Sequence, residues 1–499
     1  MDTKEIKFLL THSSIYGIGT VISRFVAFIL LPLYTHYLTP TDYGVLETID
    51  ITTALIGIVI TIGIARALSR FYYESEAQKE RNTVVSTTYI LYCVIAIFSI
   101  PLLYFGSNLL SSLLLGSSDY TYYFRVSFLS LLLGGLVDIA VMYLRIIKKP
   151  VLFITVTISR LFFLILFNVI FIVHFKMGIL GILYSSLIVK LSFALLLTTA
   201  ILFRTKIRLS LGLAKDLLKY SLPIIPSTLA STLIKQSDKY FVLHFFNIAD
   251  MGIYSLALKL GNSVHNLLTI PFNTVYIPRR FEIMKDENAR KTYAQVFTYY
   301  IFFMVVVGFI ISVYIPEILR LMVSPEFYGA AKYIPLVVFS MIVFGTHYHF
   351  DFGILYSKKT KYLAYINVIS ASLNLVTNFL LIKNFGLWGA IWSAVIILSL
   401  QAFLLFYISN KLYKIEYEFI KIAKFVSITL LLYLVSIKIN FDFMLYNLAA
   451  KTLLLFFLPL SMKWLKILSP QEIGKFKSVL RNKLKAIIPG RTKYKTTQI

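Results

Sequence analysis

Fourteen stretches of about 20 apolar residues run through this 499-residue chain, with short polar segments between them. A soluble protein of this size does not need apolar segments that are long enough to cross a bilayer, and hydrophobic residues make up 58% of the chain. We therefore predict a polytopic membrane protein. The predicted spans are residues 13–34, 46–66, 84–105, 121–144, 151–173, 179–203, 220–242, 251–275, 293–315, 333–357, 363–382, 387–408, 420–437 and 446–467.

The membrane environment and the charge pattern predict the fold class and the orientation. Only helices are expected to cross the bilayer, because a backbone in lipid must satisfy its own hydrogen bonds and the apolar residues show no period of two. Of the 49 Lys and Arg residues, 36 lie at the N-terminus, on alternate loops and in the C-terminal tail, and seven lie on the opposite side. The positive-inside rule then predicts that both termini of this multi-pass protein lie in the cytoplasm. The net charge of +26 follows from these loops and does not indicate binding to nucleic acid.

The chain contains an internal repeat. A shift of 208 residues aligns HYLTPTDYGVL, which starts at His36, with HFFNIADMGIY, which starts at His244, and it also aligns Gly178 with Gly386. Six spans repeated in one orientation predict two pseudo-symmetric six-helix lobes, followed by two helices without a repeat partner. The predicted domains are an N-terminal lobe (1–203), a cytoplasmic linker (204–219), a C-terminal lobe (220–410), transmembrane helices 13 and 14 (411–468) and a basic cytoplasmic tail (469–499).

Six of the cations that lie within predicted spans are candidates for a functional role. They are Arg24, Arg125, Arg160, Lys190, Lys235 and Lys259. Each costs about 3 kcal/mol if it faces lipid at mid-bilayer, so most are expected to face water, a carboxylate or an anionic ligand. Arg24 and Lys235 fall about one helical turn apart in the aligned repeats, and we predict that this pair binds the substrate. The alternative is an ion pair between helices, for which Glu47, Asp50 and Asp238 are available.

The eighth predicted span carries a stripe of polar residues. Lys259, Asn262, Asn266 and Asn273 recur at helical spacing on an otherwise apolar segment. Amide side chains at this spacing are suited to a hydrated wall that meets sugar hydroxyls or phosphate. The alternative is hydrogen bonding between helices, which is a common use of Asn in membranes.

Three further groups of charged residues have weaker interpretations. Arg125 is a candidate substrate-binding residue near the outer end of its span, where snorkelling explains it equally well. Asp138 and Arg160, on adjacent spans at similar depth, are expected to form a structural ion pair. Lys190 has no evident partner in the sequence.

His347 and Asp351 share one face of the tenth predicted span, four residues apart. They form either a proton relay or an ordinary hydrogen-bonded pair, and two ligands are too few to predict a metal site. The sequence contains no Walker A, GxSxG or HExxH motif, and no outer segment is long enough for a catalytic domain. We therefore predict no enzymatic activity, no cofactor and no bound metal.

Three segments of the chain resemble the polysaccharide biosynthesis flippases of the multidrug/oligosaccharidyl-lipid/polysaccharide exporter superfamily, which move undecaprenyl-linked oligosaccharides. The segments are LLPLYTHYLTPTDYGVLETI (Leu30 to Ile49), KYSLPIIPSTL (Lys219 to Leu229) and SDKYFVLHFFNIADMGIYSLALKL (Ser237 to Leu260). The resemblance extends over essentially the whole chain, including its fourteen spans and its internal doubling.

The resemblance implies two helical lobes around a cationic cavity. The implied cargo is an undecaprenyl-pyrophosphate-linked oligosaccharide, carried from the cytoplasmic to the outer leaflet of the cytoplasmic (inner) membrane of a prokaryote for assembly of O-antigen, capsule or exopolysaccharide. The implied partners are membrane lipids, a coupling ion (proton or sodium) and, as a candidate, a glycan polymerase. We expect cargo contacts from Arg24, Lys235, Lys259, Arg125, Asn262 and Asn266, and ion coupling or gating from Glu47, Asp50, Asp238, His347 and Asp351.

Two other functions compete with this hypothesis. A multidrug exporter of the same superfamily would need an acidic, aromatic cavity, whereas the charge in these spans is mainly positive. An integral-membrane glycan polymerase or ligase would be expected to carry a large outer loop with catalytic residues. Among lipid-carrying relatives, a peptidoglycan-precursor role is less favoured, because the second span offers Glu47 and Asp50 instead of cations.

Overall fold

A computed structural model describes residues 28–284, 286–439, 441 and 443–464. Every regular element among these residues is a helix, as the sequence predicts. The helices are α1 (28–37), α2 (Pro40–Thr61), α3 (Ile64–Glu74), α4 (Gln78–Leu115), α5 (Thr121–Ile146), α6 (Pro150–Asn168), α7 (Gly178–Thr205), α8 (Leu211–Ser221), α9 (Ile224–Phe245), α10 (Ile248–Gly261), α11 (Ile270–Ile283), α12 (Ala289–Met322), α13 (Ile334–Phe350), α14 (Phe352–Tyr356), α15 (Lys361–Leu412), α16 (Phe419–Ile437) and α17 (Met444–Trp464). Short 3-10 or π segments precede α5, α7, α11 and α13.

Nine helices of the described chain are long and apolar enough to cross a membrane, or ten if the bent pair formed by Pro325–Lys332 and Ile334–Tyr356 is one span. The chain is therefore a multi-pass membrane protein. Its longest helix, α15, has 52 residues, which would extend about 78 Å if straight and exceeds the apolar core of a bilayer more than twofold. Gly386 breaks α15 with φ 61° and ψ −140°, between the predicted spans 363–382 and 387–408. The total of fourteen spans stays a prediction.

The two copies of the repeat begin in the same way. The side chain of Thr39 accepts a hydrogen bond from the backbone nitrogen of Asp42 at 3.2 Å and caps α2. The side chain of Asn247 accepts a hydrogen bond from the backbone nitrogen of Asp250 at 2.7 Å and caps α10. Capping side chains satisfy amide groups that a helix start leaves unpaired, so these residues define where α2 and α10 begin. Both pairs are 208 residues apart.

Backbone conformation also follows the repeat. Gly178 and Gly386, aligned by the sequence, both have positive φ, at 56° and 61°. Lys148 and Lys358, aligned with a drift of two residues, have φ of 55° and 56°. Such angles are uncommon for residues with a β-carbon. Their recurrence at aligned positions indicates that the internal repeat is a structural one.

The starts of α2 and α10 pack closely against each other through glycine. A β-carbon added to Gly44 would overlap with the carbonyl oxygen of Ile248, and one added to Gly252 would overlap with the carbonyl oxygen of Pro40. Because Pro40 and Ile248 are also 208 residues apart, the contact is reciprocal between the two repeats. Only glycine permits the two backbones to approach this closely.

The predicted linker is partly helical. Residues 206–210 are extended along α4, where the hydroxyl of Ser86 accepts a hydrogen bond from the backbone nitrogen of Arg208 at 2.8 Å. The hydroxyl of Thr87 accepts one from the backbone nitrogen of Ser210 at 3.2 Å. The segment then forms α8, which packs against α3 and α4. These bonds attach the linker to the predicted N-terminal lobe.

The described residues form two compact units. One consists of residues 28–282 and 315–414, and it contains the repeat contacts and the site described below. The other consists of residues 283–314 and the described residues from 415 onward. It is held by aromatic packing of Phe302 against Phe425, with ring centroids 4.7 Å apart, and by a 2.7 Å hydrogen bond between the hydroxyls of Tyr314 and Thr452.

Candidate functional site

The first unit contains a cavity of about 400 Å³. It lies one to four helical turns beyond the contact between Gly44 and Gly252, along α2 and α10, and α9, α13 and α15 complete its walls. Its charged and polar lining residues are Glu47, Lys235, Gln236, Asp238, Lys239, Tyr254, Ser255, Lys259, Asn262, Asn266 and Ser340. Six of these are residues that the sequence analysis singled out. The sequence thus predicts much of the lining.

A carboxylate on α2 connects the two copies of the repeat. Oε2 of Glu47 lies 3.1 Å from Nζ of Lys239 on α9, and Oε1 lies 3.8 Å from Nζ of Lys259 on α10. Lys259 also donates a hydrogen bond to the hydroxyl of Tyr43 on α2 at 3.1 Å. The side chains of Glu47 and Lys239 are each 13% exposed, and that of Lys259 is 34% exposed. Low exposure strengthens these charge interactions relative to those at a water-covered surface.

A polar stripe on α9 leads to the cavity. Ser227, Ser231, Lys235 and Lys239 follow one another at intervals of four residues, so they share one face of the helix. The first three are exposed. Lys235 lines the cavity and forms no ion pair with any residue that the structure describes. An exposed polar face on a helix of membrane-spanning length indicates contact with water or a polar ligand there.

Two buried acceptor oxygens, on residues that line the cavity, lack hydrogen-bond donors among the described residues. The hydroxyl of Tyr254 donates to Oδ2 of Asp238 at 2.5 Å, which leaves Oδ1 of Asp238 without a donor. Oδ1 of Asn262 also lacks one. Buried acceptors are normally satisfied, so these two oxygens are exceptions within the cavity wall.

The predicted stripe on the eighth span is interrupted. Lys259, Asn262 and Asn266 line the cavity, but Asn273 does not and is buried elsewhere. The reason is a π-helical segment, His265–Thr269, between α10 and α11. An extra residue in a turn rotates all the later side chains around the helix axis, so α-helical spacing does not predict the face of Asn273.

Other predicted site residues lie outside the cavity lining. The guanidinium of Arg125 stacks 3.9 Å from the ring centroid of Tyr104 and donates to the hydroxyl of Ser107 at 3.3 Å. Asp50 is exposed on α2 beyond Glu47. Arg24 and the tail at 469–499 lie outside the described residues.

Asp138 and Arg160 interact only at longer range. In the described chain, no nitrogen of Arg160 comes within 4.0 Å of a carboxylate oxygen of Asp138, so the predicted direct ion pair is absent. Asp138 instead interacts electrostatically with both Arg160 and Lys190. Lys190 packs against Gly134 and also interacts with Asp50. These four residues form a charged group inside the first repeat. Its members interact electrostatically at longer range instead of in direct ion pairs.

The two members of the predicted His–Asp relay have different partners. Nε2 of His347 lies 2.9 Å from the carbonyl oxygen of Leu398. Oδ1 of Asp351 accepts a hydrogen bond from Nη1 of Arg280 at 2.6 Å, and Nη1 also donates to the carbonyl oxygen of Tyr348 at 2.6 Å. The arrangement gives Asp351 a structural ion pair with Arg280. Among the described residues, Asp351 bonds to His347 only through the backbone, at 3.0 Å, and their side chains form no hydrogen bond with each other.

Sequence reasoning missed Lys239 and Tyr254 as cavity residues. The spacing of four between Lys235 and Lys239 is a signal that could have found Lys239, because it places both on one helical face. Tyr254 gave no signal, because tyrosine is abundant in this chain and its role depends on its bond to Asp238.

Comparison with known proteins agrees with this architecture. The chain matches the lipid II flippase MurJ, in its inward closed conformation, with a TM-score of 0.71 and 14% identity, covering 92% of this chain and 99% of that one. It matches a multidrug resistance MATE family transporter, in its inward-facing conformation, with a TM-score of 0.62 and 13% identity, covering 78% of this chain and 94% of that one. Both matches establish the fold.

Sequence relatives identify the family. The profile of the polysaccharide biosynthesis protein family matches residues 9–284. The chain belongs to this family, as its motifs predict. It is also 24% identical over 365 residues to Lsg locus putative protein 1 of Haemophilus influenzae. The aligned residues cover 72% of this chain and 87% of that protein.

Proposed function

We propose that this protein is a flippase that moves a polyprenyl-diphosphate-linked oligosaccharide from the cytoplasmic to the outer leaflet by alternating access. The observation that carries the proposal is the convergence of Lys235, Lys239 and Lys259 on one cavity with three amide side chains. Membership of the polysaccharide biosynthesis family and a fold shared with a lipid II flippase support the same class of cargo.

The cations address the main obstacle to flipping. A diphosphate cannot pass through hydrocarbon at an acceptable cost, because it would lose its hydration without a replacement. Ammonium groups replace that hydration with charge-assisted hydrogen bonds. Lys235 is free to do so at once, and Lys239 and Lys259 do so when they leave Glu47.

The remaining polar groups are suited to the glycan. Asn262 and Asn266 line the cavity, and an amide side chain can both donate hydrogen bonds to sugar hydroxyls and accept them. The exposed hydroxyls of Ser227 and Ser231 continue along α9 towards the predicted cytoplasmic side. The polyprenyl chain remains in the lipid beside the cavity.

The test uses purified protein in proteoliposomes that contain a polyprenyl-diphosphate oligosaccharide. Exposure of the glycan on the far leaflet is measured with a membrane-impermeant glycosidase. A neutral glycolipid with the same oligosaccharide serves as the matched control cargo. We expect the diphosphate-linked cargo to be moved and the neutral one to remain, and equal movement of both would contradict the assigned role of the lysines.

The same assay is run with and without gradients of protons and of sodium. Dependence on either gradient identifies the coupling ion. Movement that needs no gradient would contradict ion-coupled transport while leaving the cargo assignment intact.

A further inference from the structure

We propose that Glu47 occupies the position of the substrate's diphosphate in the empty protein, so that cargo binding takes Lys239 and Lys259 from Glu47 and releases α2 from α9 and α10. This inference rests on the proposed function, and it adds a trigger for opening to it. It also assigns Lys239 a direct role in binding the cargo.

Glu47 is placed where an anionic ligand would bind. One carboxylate on α2 contacts two lysines on different helices of the second repeat, at 3.1 and 3.8 Å. A carboxylate held between two ammonium groups has the arrangement that a bound phosphate group would have. Lys235, four residues before Lys239 on the same face, has no anion among the described residues and offers a first contact for the entering cargo.

Lys239 and Lys259 can exchange the carboxylate of Glu47 for the diphosphate of the cargo. Removing one member of a poorly exposed ion pair is costly when the other is left unpaired, but replacing it with another anion avoids that cost. A diphosphate carries more negative charge and more acceptor oxygens than a carboxylate. The interactions of Lys239 and Lys259 with the cargo are therefore more favourable than those with Glu47. In the empty cavity there is no cargo anion to replace Glu47, so the ion pairs remain.

The exchange affects the closed contact between the two repeats, because the residues involved lie close to it. Glu47 lies one turn beyond Gly44 on α2, and Lys259 lies two turns beyond Gly252 on α10. Lys259 also holds the hydroxyl of Tyr43, the residue that immediately precedes Gly44. The ion pairs of Glu47 and the hydrogen bond of Tyr43 thus hold α2 against the helices of the second repeat near the two glycines. Without these interactions, mainly packing keeps the contact between Gly44 and Gly252 closed.

The experiment uses a Cys93→Ser background with Ser255→Cys as a reporter. Ser255 lines the cavity and is buried, so a membrane-impermeant maleimide applied from the predicted outer side reports opening at that side. Glu47→Gln and Lys239→Gln each remove one arm of the same interaction. Glu74→Gln is the control, because Glu74 pairs with Arg70 within the exposed end of α3. We expect several-fold faster labelling in the first two variants and no change in the control.

Binding of inorganic pyrophosphate separates this proposal from a purely structural tie. Glu47→Gln removes the competing carboxylate, so pyrophosphate should bind several-fold more tightly, whereas Lys239→Gln removes a ligand-binding cation and should weaken binding. In the double variant the gain from Glu47→Gln should shrink. Glu74→Gln should bind like the parent protein, and thermal melting confirms that each variant is folded.

The outcomes distinguish the two claims. If pyrophosphate binds to the parent protein and Lys235→Ala weakens it, but Glu47→Gln leaves affinity unchanged or lowers it, Glu47 does not stand in for the diphosphate and the flippase assignment stands. If no variant binds pyrophosphate, both the trigger and the diphosphate cavity are overturned.

Discussion

Gly44 and Gly252 lie at equivalent positions of the 208-residue repeat, and each packs against the main chain of the other repeat. The two contacts, to Ile248 and Pro40, are interchanged by the repeat shift. The charge pattern predicts that this contact faces the outside of the cell, and we propose that it closes the cavity on the side where the cargo would leave.

Alanine at either glycine should open this end. The added β-carbon would overlap with a main-chain oxygen, which cannot move as a flexible side chain can. We expect Gly44→Ala and Gly252→Ala to raise outer-side labelling of a cysteine at position 255 to a similar extent. Gly106→Ala is the control, because a β-carbon there meets no atom within 4 Å. Unchanged labelling in both variants would show that the glycine contact is not the closure.

Asn262 and Asn273 should respond differently to truncation, although the sequence placed them on one stripe. Asn262→Ala removes a cavity acceptor and should lower flipping without lowering the melting temperature. Asn273→Ala alters a residue that is 4% exposed and outside the cavity lining, so its effect should fall on stability. Flipping rates and thermal melting of both variants check this, and equal loss of flipping at unchanged stability would contradict the placement of Asn273.

The ion pair between Arg280 and Asp351 should be important for stability. Arg280 is 2% exposed, so Asp351→Asn leaves a buried cation without its anion and should cost about 3–5 kcal/mol in the free energy of unfolding. The neighbouring pair of Arg279 and Glu282 is exposed, and Glu282→Gln should cost less than about 1 kcal/mol. Unfolding in mild detergent measures both variants. A loss in Asp351→Asn no larger than in Glu282→Gln would contradict the structural role.

Gly386 should not tolerate a side chain. Its φ of 61° with ψ of −140° is a conformation that essentially only glycine adopts, and the cost comes from this backbone conformation, because a β-carbon would make only ordinary contact with the ring of Phe246 at 3.4 Å. We expect Gly386→Ala to cost about 1–3 kcal/mol of unfolding free energy. Gly106→Ala, inside α4, should instead be neutral or stabilising by up to about 1 kcal/mol. Similar stability in the two variants would mean that the break in α15 is not maintained.

Local patterns predicted the features that depend on neighbouring residues in the chain. The caps at Thr39 and Asn247 belong to the aligned motifs that revealed the repeat, and Gly386 separates two predicted spans. Lys259 and Asn262 were placed correctly on one face because the helix between them is regular.

Features that depend on tertiary contacts could not be predicted in the same way. The partner of Lys239 is Glu47, 192 residues away, and spacing within one helix carries no information about that pairing. The π segment before α11 rotates Asn273 off the predicted stripe. Asp138 and Arg160 were expected to pair directly, but their relative position depends on how two helices pack, including the nearby charge of Lys190.

The most direct test of the account is flipping of the diphosphate-linked oligosaccharide by the double variant Lys235→Ala with Lys259→Ala. Lys383→Ala, which alters an exposed lysine on α15 outside the cavity lining, is the matched control. We predict that the double variant folds, reaches the membrane and moves the cargo at a rate close to that of empty liposomes, while the control retains the parent rate. Parent-level flipping by the folded double variant would contradict the claim that cavity lysines carry the diphosphate.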